Sequence, residues 1–427
     1  MLKIETLSHD GRGVGRLEGK AIFVEGALPN ETVEIEIKKR HKKFDEAKAT
    51  AIIEASPDRV IPQCEYVEIC GGCELQHLDP HAQLKAKQET LLNQLQHFGG
   101  VTPETILEPI TGEAYHYRKR ARLGVRDVFK KGKVLVGFRE KHTHYLVNMD
   151  HCEILDKKIS NVIAPFATLI ESLEARAHIA QLEVTQGDTQ TAFIVRHLVP
   201  LNESDVSKLK QFAEAHEIEI YLQSKGPETV LKLWPETHPY LSYSLPAENI
   251  TYQFHPLDFV QVNQIVNQKM VAAMLAAIQL KPNMKVLDLF CGLGNLTLPL
   301  AKYAGHVVGV EGSAQMVKLA QENAKRNQLE NVAFYEADLF APPFNAAWAN
   351  QHYDVVVLDP PRAGAEQVVS DIQRFNANTI VYISCYPATL ARDAGILKNA
   401  GYLMHSVRLL DMFTHTMHVE AMAVFKR

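Results

Sequence analysis

The chain has 427 residues, enough for two or three domains at roughly 150 residues each. Hydrophobic residues make up 46% and charged residues 22% of the chain, which excludes a disordered or collagen-like protein. The net charge is −5, from 45 basic and 50 acidic residues, and this total argues against a nucleic-acid partner.

The distribution of charge changes that conclusion. Residues 112–142 hold 10 basic and 3 acidic side chains, whereas residues 143–280 hold 9 and 16. A local cationic surface is therefore compatible with an acidic chain.

Cellular location follows from what the chain lacks. No apolar run approaches the ~20 residues that span a bilayer, and the first residues have no apolar signal-peptide core. We therefore expect a cytoplasmic protein. In that reducing compartment the six cysteines are expected to be ligands, nucleophiles or core residues.

Residues 1–58 alternate short β-rich runs with turns. The period-2 pattern of Thr32–Ile37 is typical of a half-buried strand, and regular strand spacing with glycine-containing turns predicts a small barrel. The basic run Lys38 to Lys43 is predicted to lie on a loop between two strands. It is either a solvated hairpin tip or a contact with an RNA backbone.

A cysteine group follows the predicted barrel. Cys64, Cys70 and Cys73 are close in sequence, and Cys152 supplies a fourth thiol far downstream. The two glycines at 71 and 72 permit the tight turn that lets neighbouring thiolates converge. Four cysteines hold either zinc or an iron–sulfur cluster, and the spacing does not separate the two.

Residues 59–255 are predicted to form a central α+β domain. Asp79-Pro80 is a helix-start signal for a helix that runs to about Phe98. The basic run 118–122 is predicted to face RNA phosphates, with neighbouring rings that can stack on bases, namely Tyr115, His116 and Tyr117. A merely solvated charged surface is the alternative.

Residues 256–427 alternate helices with short, wholly apolar strands, which indicates a doubly wound parallel sheet covered on both faces. Helices are predicted at 263–279 and 313–327. Strands are predicted at 285–290, 306–310, 332–335, 354–358, 379–384 and 419–425.

The first of these strands runs into a glycine turn, where Gly292 and Gly294 allow a ligand to approach the backbone. The next strand ends in Glu311, about 20 residues on, where a carboxylate accepts hydrogen bonds from a ribose. Asp338 follows the third strand, near the expected adenine edge. Asp288 adds a carboxylate that suits a cationic ligand, so S-adenosylmethionine is favoured over NAD.

Three residues at strand ends suggest chemistry. Asp359 follows the strand 354–358, and Cys385 follows the strand 379–384 just before a helix, whose N-terminus is expected to lower the thiol pKa. Glu420 begins an apolar strand, where a carboxylate is functional or paired. Cys291 is expected to pack without chemistry. His415 and His418 are expected to form hydrogen bonds or contact RNA.

Methylation of carbon 5 of uracil requires a thiolate, a methyl donor and a base. The thiolate adds to carbon 6 and makes carbon 5 nucleophilic, and the base then removes the carbon 5 proton. Cys385 fits the thiolate, Glu420 fits the base, and Asp359 can position the uracil edge.

Four motifs carry a family resemblance: LDLFCGLGNLTLPLA, LDPPRAGA, ISCYPATLARD and HTMHVEAM. They resemble those of the RNA uracil-C5 methyltransferases, and the whole chain is similar to the branch that acts on 23S ribosomal RNA. The N-terminal stretch resembles the TRAM domain, an OB-like RNA-binding β-barrel. The fold so implied is multidomain α/β, ending in a Rossmann-like methyltransferase domain.

The resemblance also implies functional residues and partners. It assigns Cys385 as nucleophile, Glu420 as base, and a 4Fe–4S cluster to Cys64, Cys70, Cys73 and Cys152. The implied S-adenosylmethionine site comprises Gln261, Phe290, Asn295, Glu311, Asp338 and Asp359. The expected substrate is a single-stranded or looped uridine of 23S rRNA, without a membrane or an obligate protein partner.

Three alternatives remain open at this point. Another rRNA or tRNA uridine is one substrate alternative. An amino-group RNA methyltransferase that uses Asp-Pro-Pro would need neither Cys385 nor Glu420. A non-catalytic RNA-binding protein would leave the cofactor site without purpose. The chain also departs from the family pattern at three positions, where it has Tyr386 for Asn, Thr414 for Pro and Asn30 for Gly.

Overall fold

The computed structural model describes residues 1–342 and 344–427. Within them, no helix combines the length and apolar character needed to cross a membrane. The chain divides into two compact units. The first comprises Met1–Thr90, Phe138–Val147 and Phe413–His418, and the second comprises Leu91–Gly137, Asn148–Met412 and Val419–Arg427. The boundaries at residues 58 and 255 stay a prediction, because neither unit is one continuous stretch.

The first unit contains a closed five-stranded barrel with the strand order β1-β2-β3-β5-β4. The strands are β1 (Leu2–Leu7), β2 (Gly13–Leu17), β3 (Lys20–Glu25), β4 (Thr32–Arg40) and β5 (Phe44–Glu54). Alternate residues of the strands point inward, as period-2 patterning requires, and Ile4, Val24 and Val33 are at most 1% exposed. The predicted barrel is confirmed.

The basic run Lys38 to Lys43 does not lie wholly on a loop as predicted. Strand β4 continues to Arg40 and β5 starts at Phe44, so only residues 41–43 connect the two strands. The Lys38 ammonium is 2.6 Å from the Glu36 carboxylate on the same strand. Pairing of β4 with β5 extends to Arg40 and Asp45, which is why the strand outlasts its apolar pattern.

The turn that contains Asn30 is stabilised by the buried side chain of the next residue. Asn30 has a φ of +71°, a backbone conformation that glycine adopts most readily and asparagine better than other residues. The next residue, Glu31, is fully buried and accepts hydrogen bonds from the Leu28 amide at 2.8 Å and from Arg59 Nη2 at 2.8 Å. The departure from glycine therefore leaves the turn intact.

The second unit contains a six-stranded sheet with the order β12-β11-β10-β9-β7-β8. Its strands are β7 (Arg120–Val128), β8 (Lys133–Gly137), β9 (Ile179–Gln186), β10 (Thr191–His197), β11 (Glu219–Gln223) and β12 (Leu231–Trp234). Strand β6 (Thr105–Ile110) precedes them and belongs to another sheet. The helices up to this point are α1 (Pro80–Gln94), α2 (Lys157–Ser160), α3 (Ile163–Ser172) and α4 (Glu203–Ala215). Mixed strand directions and interspersed helices confirm the α+β character.

A two-stranded hairpin, β13 (Leu241–Leu245) and β14 (Ile250–Phe254), leads into the C-terminal elements. The strands there are β15 (Lys285–Leu289), β16 (His306–Glu311), β17 (Val332–Glu336), β18 (Val355–Leu358), β19 (Thr379–Ser384), β20 (Leu403–Leu410) and β21 (Glu420–Lys426). The helices are α5 (Gln264–Ile278), α6 (Thr297–Ala301), α7 (Ala314–Arg326), α8 (Glu366–Ser370) and α9 (Pro387–Asn399).

These strands form an eight-stranded sheet with the order β17-β16-β15-β18-β19-β21-β20-β6. The strands from β17 to β19 are parallel, and β21 is antiparallel to both of its neighbours. The Rossmann-like domain is confirmed, with two strands that the sequence did not predict there, β20 and, along it, β6. The strand order reverses between β15 and β18, and ligands bind beyond the carboxyl ends of the strands at such a point.

Candidate active site

The glycine turn after β15 lies at this reversal point. Phe290, Gly292 and Gly294 have φ values of +64°, +54° and +93°, so the chain doubles back before α6. Asp288, the penultimate residue of β15, is fully buried and accepts a 2.5 Å hydrogen bond from the Thr297 hydroxyl through its Oδ2 atom. Its other oxygen, Oδ1, is buried and makes no hydrogen bond with the described residues.

Glu311, at the end of β16, is positioned by the backbone around it. Its Oε2 accepts the Gly292 amide at 3.1 Å, and its Oε1 accepts the Ser313 amide at 3.1 Å. Each carboxylate oxygen can accept further hydrogen bonds. The predicted role of Glu311 toward a ribose stays a prediction.

Asp338 follows β17 and is exposed. Its Oδ1 accepts the Phe340 amide at 2.9 Å, so the carboxylate organises its own turn. The Phe340 ring is 41% exposed and its centroid is 5.6 Å from that of Phe290. An apolar wall thus adjoins Asp338, and Phe340 was not singled out from the sequence because a lone aromatic after a strand has no distinguishing pattern.

The Asn295 side chain forms more hydrogen bonds within the protein than the sequence suggested. Its amide exchanges two hydrogen bonds with Asn267 of α5, at 2.9 and 3.0 Å, and its Oδ1 also accepts the Tyr243 hydroxyl at 2.9 Å. The side chain therefore ties the glycine turn to α5 and β13 and keeps one N–H for a ligand. Asn267 was a detectable signal, since it is an asparagine on a buried helix face.

Gln261 lies beside this network. It lines a cavity of about 20 Å³ together with Tyr243, Asn267 and Gln186. The Gln186 Oε1 atom is buried and makes no hydrogen bond with the described residues. A cavity of this size holds about one water molecule.

Asp359 lies one residue beyond β18, where its amide donates to the Leu289 carbonyl at 3.4 Å. Burial raises the pKa of Asp359 to about 7. Burial also raises the pKa of Asp288 to about 7, with added repulsion from Asp359 and Glu311. A cation beside these two carboxyl groups favours their ionised forms, and the ionised forms in turn attract the cation. This pair of carboxyl groups, one with an unsatisfied oxygen, therefore suits the sulfonium and ammonium of S-adenosylmethionine.

The last pair of β19 and β21 brings Cys385 near Glu420. The two strands pair antiparallel up to Ser384 and Ala421, and Cys385 and Glu420 are the residues that adjoin this pair, Cys385 in the bend after β19 and Glu420 at the start of β21. Glu420 is 7% exposed, and its charge is one of the causes that raise the pKa of Cys385.

The expected lowering of the Cys385 pKa is wrong. Burial, with smaller contributions from the charges of Glu420 and Asp359, raises the pKa of the thiol to about 11, and Arg362 opposes this shift. The position before α9 is as predicted, because Pro387 is the first residue of that helix. Burial and the two carboxylates outweigh the influence of the helix N-terminus, which is weak and falls off within one turn.

The turn between β19 and α9 holds its shape through Ser384. The Ser384 hydroxyl donates to the Tyr386 carbonyl and accepts the Tyr386 amide, both at 3.1 Å. Tyr386 itself is 48% exposed. The departure from asparagine thus leaves the backbone turn intact and puts an aromatic ring on the surface next to Cys385.

The basic run 118–122 does not face outward as one surface. Arg120 donates to the carbonyls of Leu257, at 2.9 Å, and of Asp258, and burial lowers its pKa. Tyr117 is 5% exposed. The strand alternation of β7 buries every second side chain, so within this run Arg122 remains exposed, paired with Glu183 at 2.8 Å.

His415 is a hydrogen-bonding residue, which is one of the two roles expected for it. In the first unit its amide donates to Gln83 Oε1 at 3.0 Å, and its Nδ1 atom lies 3.1 Å from Gln83 Nε2. Cys291, in the second unit, is buried, and a Cβ added at Gly309 would lie 3.0 Å from its sulfur atom. Cys291 is therefore a packing residue, as predicted.

Three of the four predicted cluster ligands lie in the first unit. Cys64, Cys70 and Cys73 are each at most 9% exposed, and the Gly72 amide donates to the Cys70 sulfur at 3.4 Å. Cys152 lies in the second unit, with its amide donating to the Ser160 hydroxyl at 2.8 Å. As placed, the described residues form no group of three or more side chains able to hold a metal ion. The cluster stays a prediction.

Comparisons with known families and curated proteins cover the whole chain. Residues 79–427 match the family described as tRNA (Uracil-5-)-methyltransferase, and residues 2–50 match the TRAM domain. The 23S rRNA (uracil(1939)-C(5))-methyltransferase RlmD of Hahella chejuensis is 47% identical over 431 residues, covering 100% of this chain and 96% of the relative. The enzyme of the same name from Alcanivorax borkumensis is 48% identical over 425 residues, covering 99% and 96%.

One solved structure resembles the chain over its full length. It is the tRNA (uracil-54, C5)-methyltransferase of Pyrococcus abyssi in complex with S-adenosyl-L-homocysteine. The two chains share 25% sequence identity with a TM-score of 0.76, and the match covers 100% of each.

Proposed function

The chain belongs to the RNA uracil-C5 methyltransferase family and is an S-adenosylmethionine-dependent methyltransferase, and from this premise we propose that it methylates carbon 5 of one uridine in 23S rRNA. The uridine is the one that corresponds to position 1939 in the names of the curated relatives. The observation that supports the proposal is the proximity of Cys385 and Glu420, which adjoin the last strand pair, Ser384 and Ala421, closely enough for the Glu420 charge to raise the Cys385 pKa.

The chemistry assigns a separate step to each of these residues. As a thiolate, Cys385 adds its sulfur to carbon 6 of uracil, and the electron pair of the 5,6 double bond moves toward the carbon 4 oxygen as an enolate. S-adenosylmethionine supplies the methyl group that carbon 5 attacks. Glu420 then accepts the carbon 5 proton, the carbon 6–sulfur bond breaks, and the double bond re-forms.

The remaining residues bind and orient in this proposal. Asp288, Glu311 and Asp338 meet the cationic, ribose and adenine parts of the cofactor, and Asp359 lies between the two ligands, where it positions the uracil edge and belongs to the cofactor site. Gln261, Phe290 and Asn295 complete the cofactor site. The uridine must leave any base stack to reach Cys385, which favours a looped RNA segment.

An RNA surface and a location complete the proposal. The TRAM barrel in the first unit and the exposed Arg122 and Arg126 of β7 are proposed to contact RNA phosphates. A cytoplasmic location, expected from the sequence, fits a ribosomal substrate.

We also propose that Cys64, Cys70, Cys73 and Cys152 hold a 4Fe–4S cluster. Support comes from the burial of all four residues and from the Gly72 amide directed at the Cys70 sulfur, a contact that cluster-ligating sulfurs commonly accept. The proposed role is structural, because the site chemistry above requires no electron transfer.

The test uses RNA from a strain that lacks the gene, so that the target uridine is unmodified. Purified protein, S-adenosylmethionine and total RNA should yield 5-methyluridine at one 23S position, and Cys385→Ala should yield none. Methylation confined to tRNA would favour the tRNA alternative. A methyl group on an exocyclic amine, or full activity of Cys385→Ala, would contradict the uracil-C5 mechanism.

A further inference from the structure

The loop that carries Asp359 is held against helix α9 over its second half. The Thr389 hydroxyl donates to the Arg362 carbonyl at 3.2 Å. Arg392 Nη2 donates to the Ala363 carbonyl at 2.9 Å, and the Ala365 amide donates to Asp393 Oδ2 at 2.7 Å. Residues 362–365 therefore take their position from one helix face.

Asp393 connects that loop to the strand that ends at Cys385. Its carboxylate is fully buried, and Oδ2 also accepts the Tyr382 hydroxyl at 2.6 Å. Tyr382 is a fully buried residue of β19, three positions before Cys385. The second oxygen, Oδ1, accepts Arg392 Nε at 2.8 Å. One carboxylate thus joins the loop, the strand and the helix.

The loop approaches this carboxylate too closely for any side chain between them. Gly364 has a φ of +78°, and a Cβ added there would lie 2.8 Å from Asp393 Oδ2 and 2.6 Å from Arg392 Nη2. A glycine is needed both for the backbone conformation and for the contact. The connection is therefore a direct one between backbone and carboxylate.

The reaction needs Cys385 and Asp359 in a fixed relation, yet they lie at the ends of different strands. Misplacing a reacting group by about 1 Å costs on the order of 100-fold in rate. We propose that Asp393 is a positioning residue that sets the place of Asp359 relative to the Cys385 sulfur through Ala365 and Tyr382. This proposal rests on the proposed function, because it assumes that both groups act on one uracil.

The test compares two buried aspartates. Asp393→Asn keeps the side-chain shape but loses the charge that three donors share. Asp205→Asn is the matched control, because Asp205 is also fully buried and accepts two backbone amides, of Glu174 and Ala175 at 2.9 and 3.0 Å, outside the site. At a temperature where both variants are folded, we expect kcat of Asp393→Asn to fall about tenfold to 100-fold. Its Kd for S-adenosylmethionine should stay within about twofold, and Asp205→Asn should keep wild-type kcat.

A milder variant covers the case in which Asp393→Asn does not fold. Tyr382→Phe removes only the hydroxyl, and we expect its kcat to fall about threefold to tenfold. Unchanged kcat in the folded variants would overturn the proposal, as would a loss seen only in cofactor affinity or one shared by Asp205→Asn.

A measurement without RNA separates this proposal from the proposed function. Iodoacetamide alkylation of Cys385, followed by mass spectrometry of its peptide, reports the charges placed around the sulfur. Moving Asp359 and Arg362 should change the alkylation rate at fixed pH by about threefold or more in Asp393→Asn, with no change in Asp205→Asn. An unchanged rate would count against the positioning role even if wild-type protein methylates no 23S rRNA.

Discussion

Cys385 and Glu420 adjoin the last pair of two antiparallel strands, Ser384 and Ala421, and the charge of Glu420 acts on the Cys385 thiol. A carboxylate in this place repels the thiolate that the reaction needs, and it is one reason why the thiol pKa is about 11. In the proposed mechanism the same carboxylate takes the carbon 5 proton once the sulfur has been bonded to carbon 6. Under that proposal the pair favours the second half of the reaction at the expense of the first.

Replacing Glu420 by Gln should favour thiolate formation at Cys385 and slow removal of the carbon 5 proton. Removing the negative charge lowers the thiol pKa, so Cys385 alkylation at pH 8 should become about threefold to tenfold faster. Turnover should fall by about 10² to 10⁴, because no group accepts the carbon 5 proton. A covalent enzyme–RNA complex that carries the transferred methyl group should accumulate and be visible on a denaturing gel.

Cys385→Ala is the matched control for this experiment, since it removes the sulfur and should give neither alkylation nor complex. Slower alkylation in Glu420→Gln would contradict the placement of the Glu420 charge beside the Cys385 thiol. Normal turnover would exclude Glu420 as the base.

The raised pKa values of Asp288 and Asp359 predict how cofactor affinity depends on pH. Burial raises the pKa values of Asp288 and Asp359 to about 7, so both lose protons as pH rises from 6 to 8, and a cationic ligand binds the ionised forms better. The Kd for S-adenosylmethionine should therefore decrease over this range, by at most about tenfold per pH unit for each carboxyl. Binding at pH 7 should release protons.

Calorimetry in buffers of different ionisation enthalpy measures that proton release. Asp288→Asn should reduce it and flatten the pH dependence, while Asp205→Asn should leave both unchanged. S-adenosylhomocysteine, which lacks the sulfonium charge, should show a weaker pH dependence. A Kd for S-adenosylmethionine that stays constant from pH 6 to 8 would contradict the interpretation of these carboxyl groups.

The fold was predictable where its signals are local. The period-2 runs of the barrel and the continuous apolar strands of the C-terminal sheet each specify their elements within about ten residues. Strand β6 was not assigned to that sheet, because its partner β20 lies some three hundred residues downstream and pairing at that distance leaves no local pattern.

The places of the candidate site residues in the fold were predictable, but their electrostatics were not. The positions of Cys385, Asp359 and Glu420 at strand ends follow from the strand pattern. The thiol pKa was predicted in the wrong direction because the adjacent helix was the only neighbour visible in the sequence, whereas the structure adds burial and two carboxylates from other strands.

Metal analysis decides the proposed cluster. Protein purified without oxygen should contain about four iron atoms and a broad absorbance band near roughly 400 nm. Cys70→Ser should lose most of the iron, whereas Cys291→Ser, which changes a packing cysteine, should retain it. Stoichiometric zinc without iron in the wild-type protein would show that the thiols form a zinc site instead.

Two arginines separated by one residue on β7 distinguish an RNA contact from an internal bond. Arg122 is exposed, so Arg122→Ala should weaken binding of a 23S rRNA fragment. The slope of log K against log salt concentration should become shallower by about 1, the value for one lost phosphate contact. Arg120 is bonded to the carbonyls of Leu257 and Asp258, so Arg120→Ala should instead cost about 1–3 kcal/mol of stability and leave the salt dependence unchanged. Filter binding between 50 and 200 mM salt and thermal unfolding measure the two effects. An equal loss of salt dependence in both variants would show that Arg120 reaches RNA despite its internal bonds.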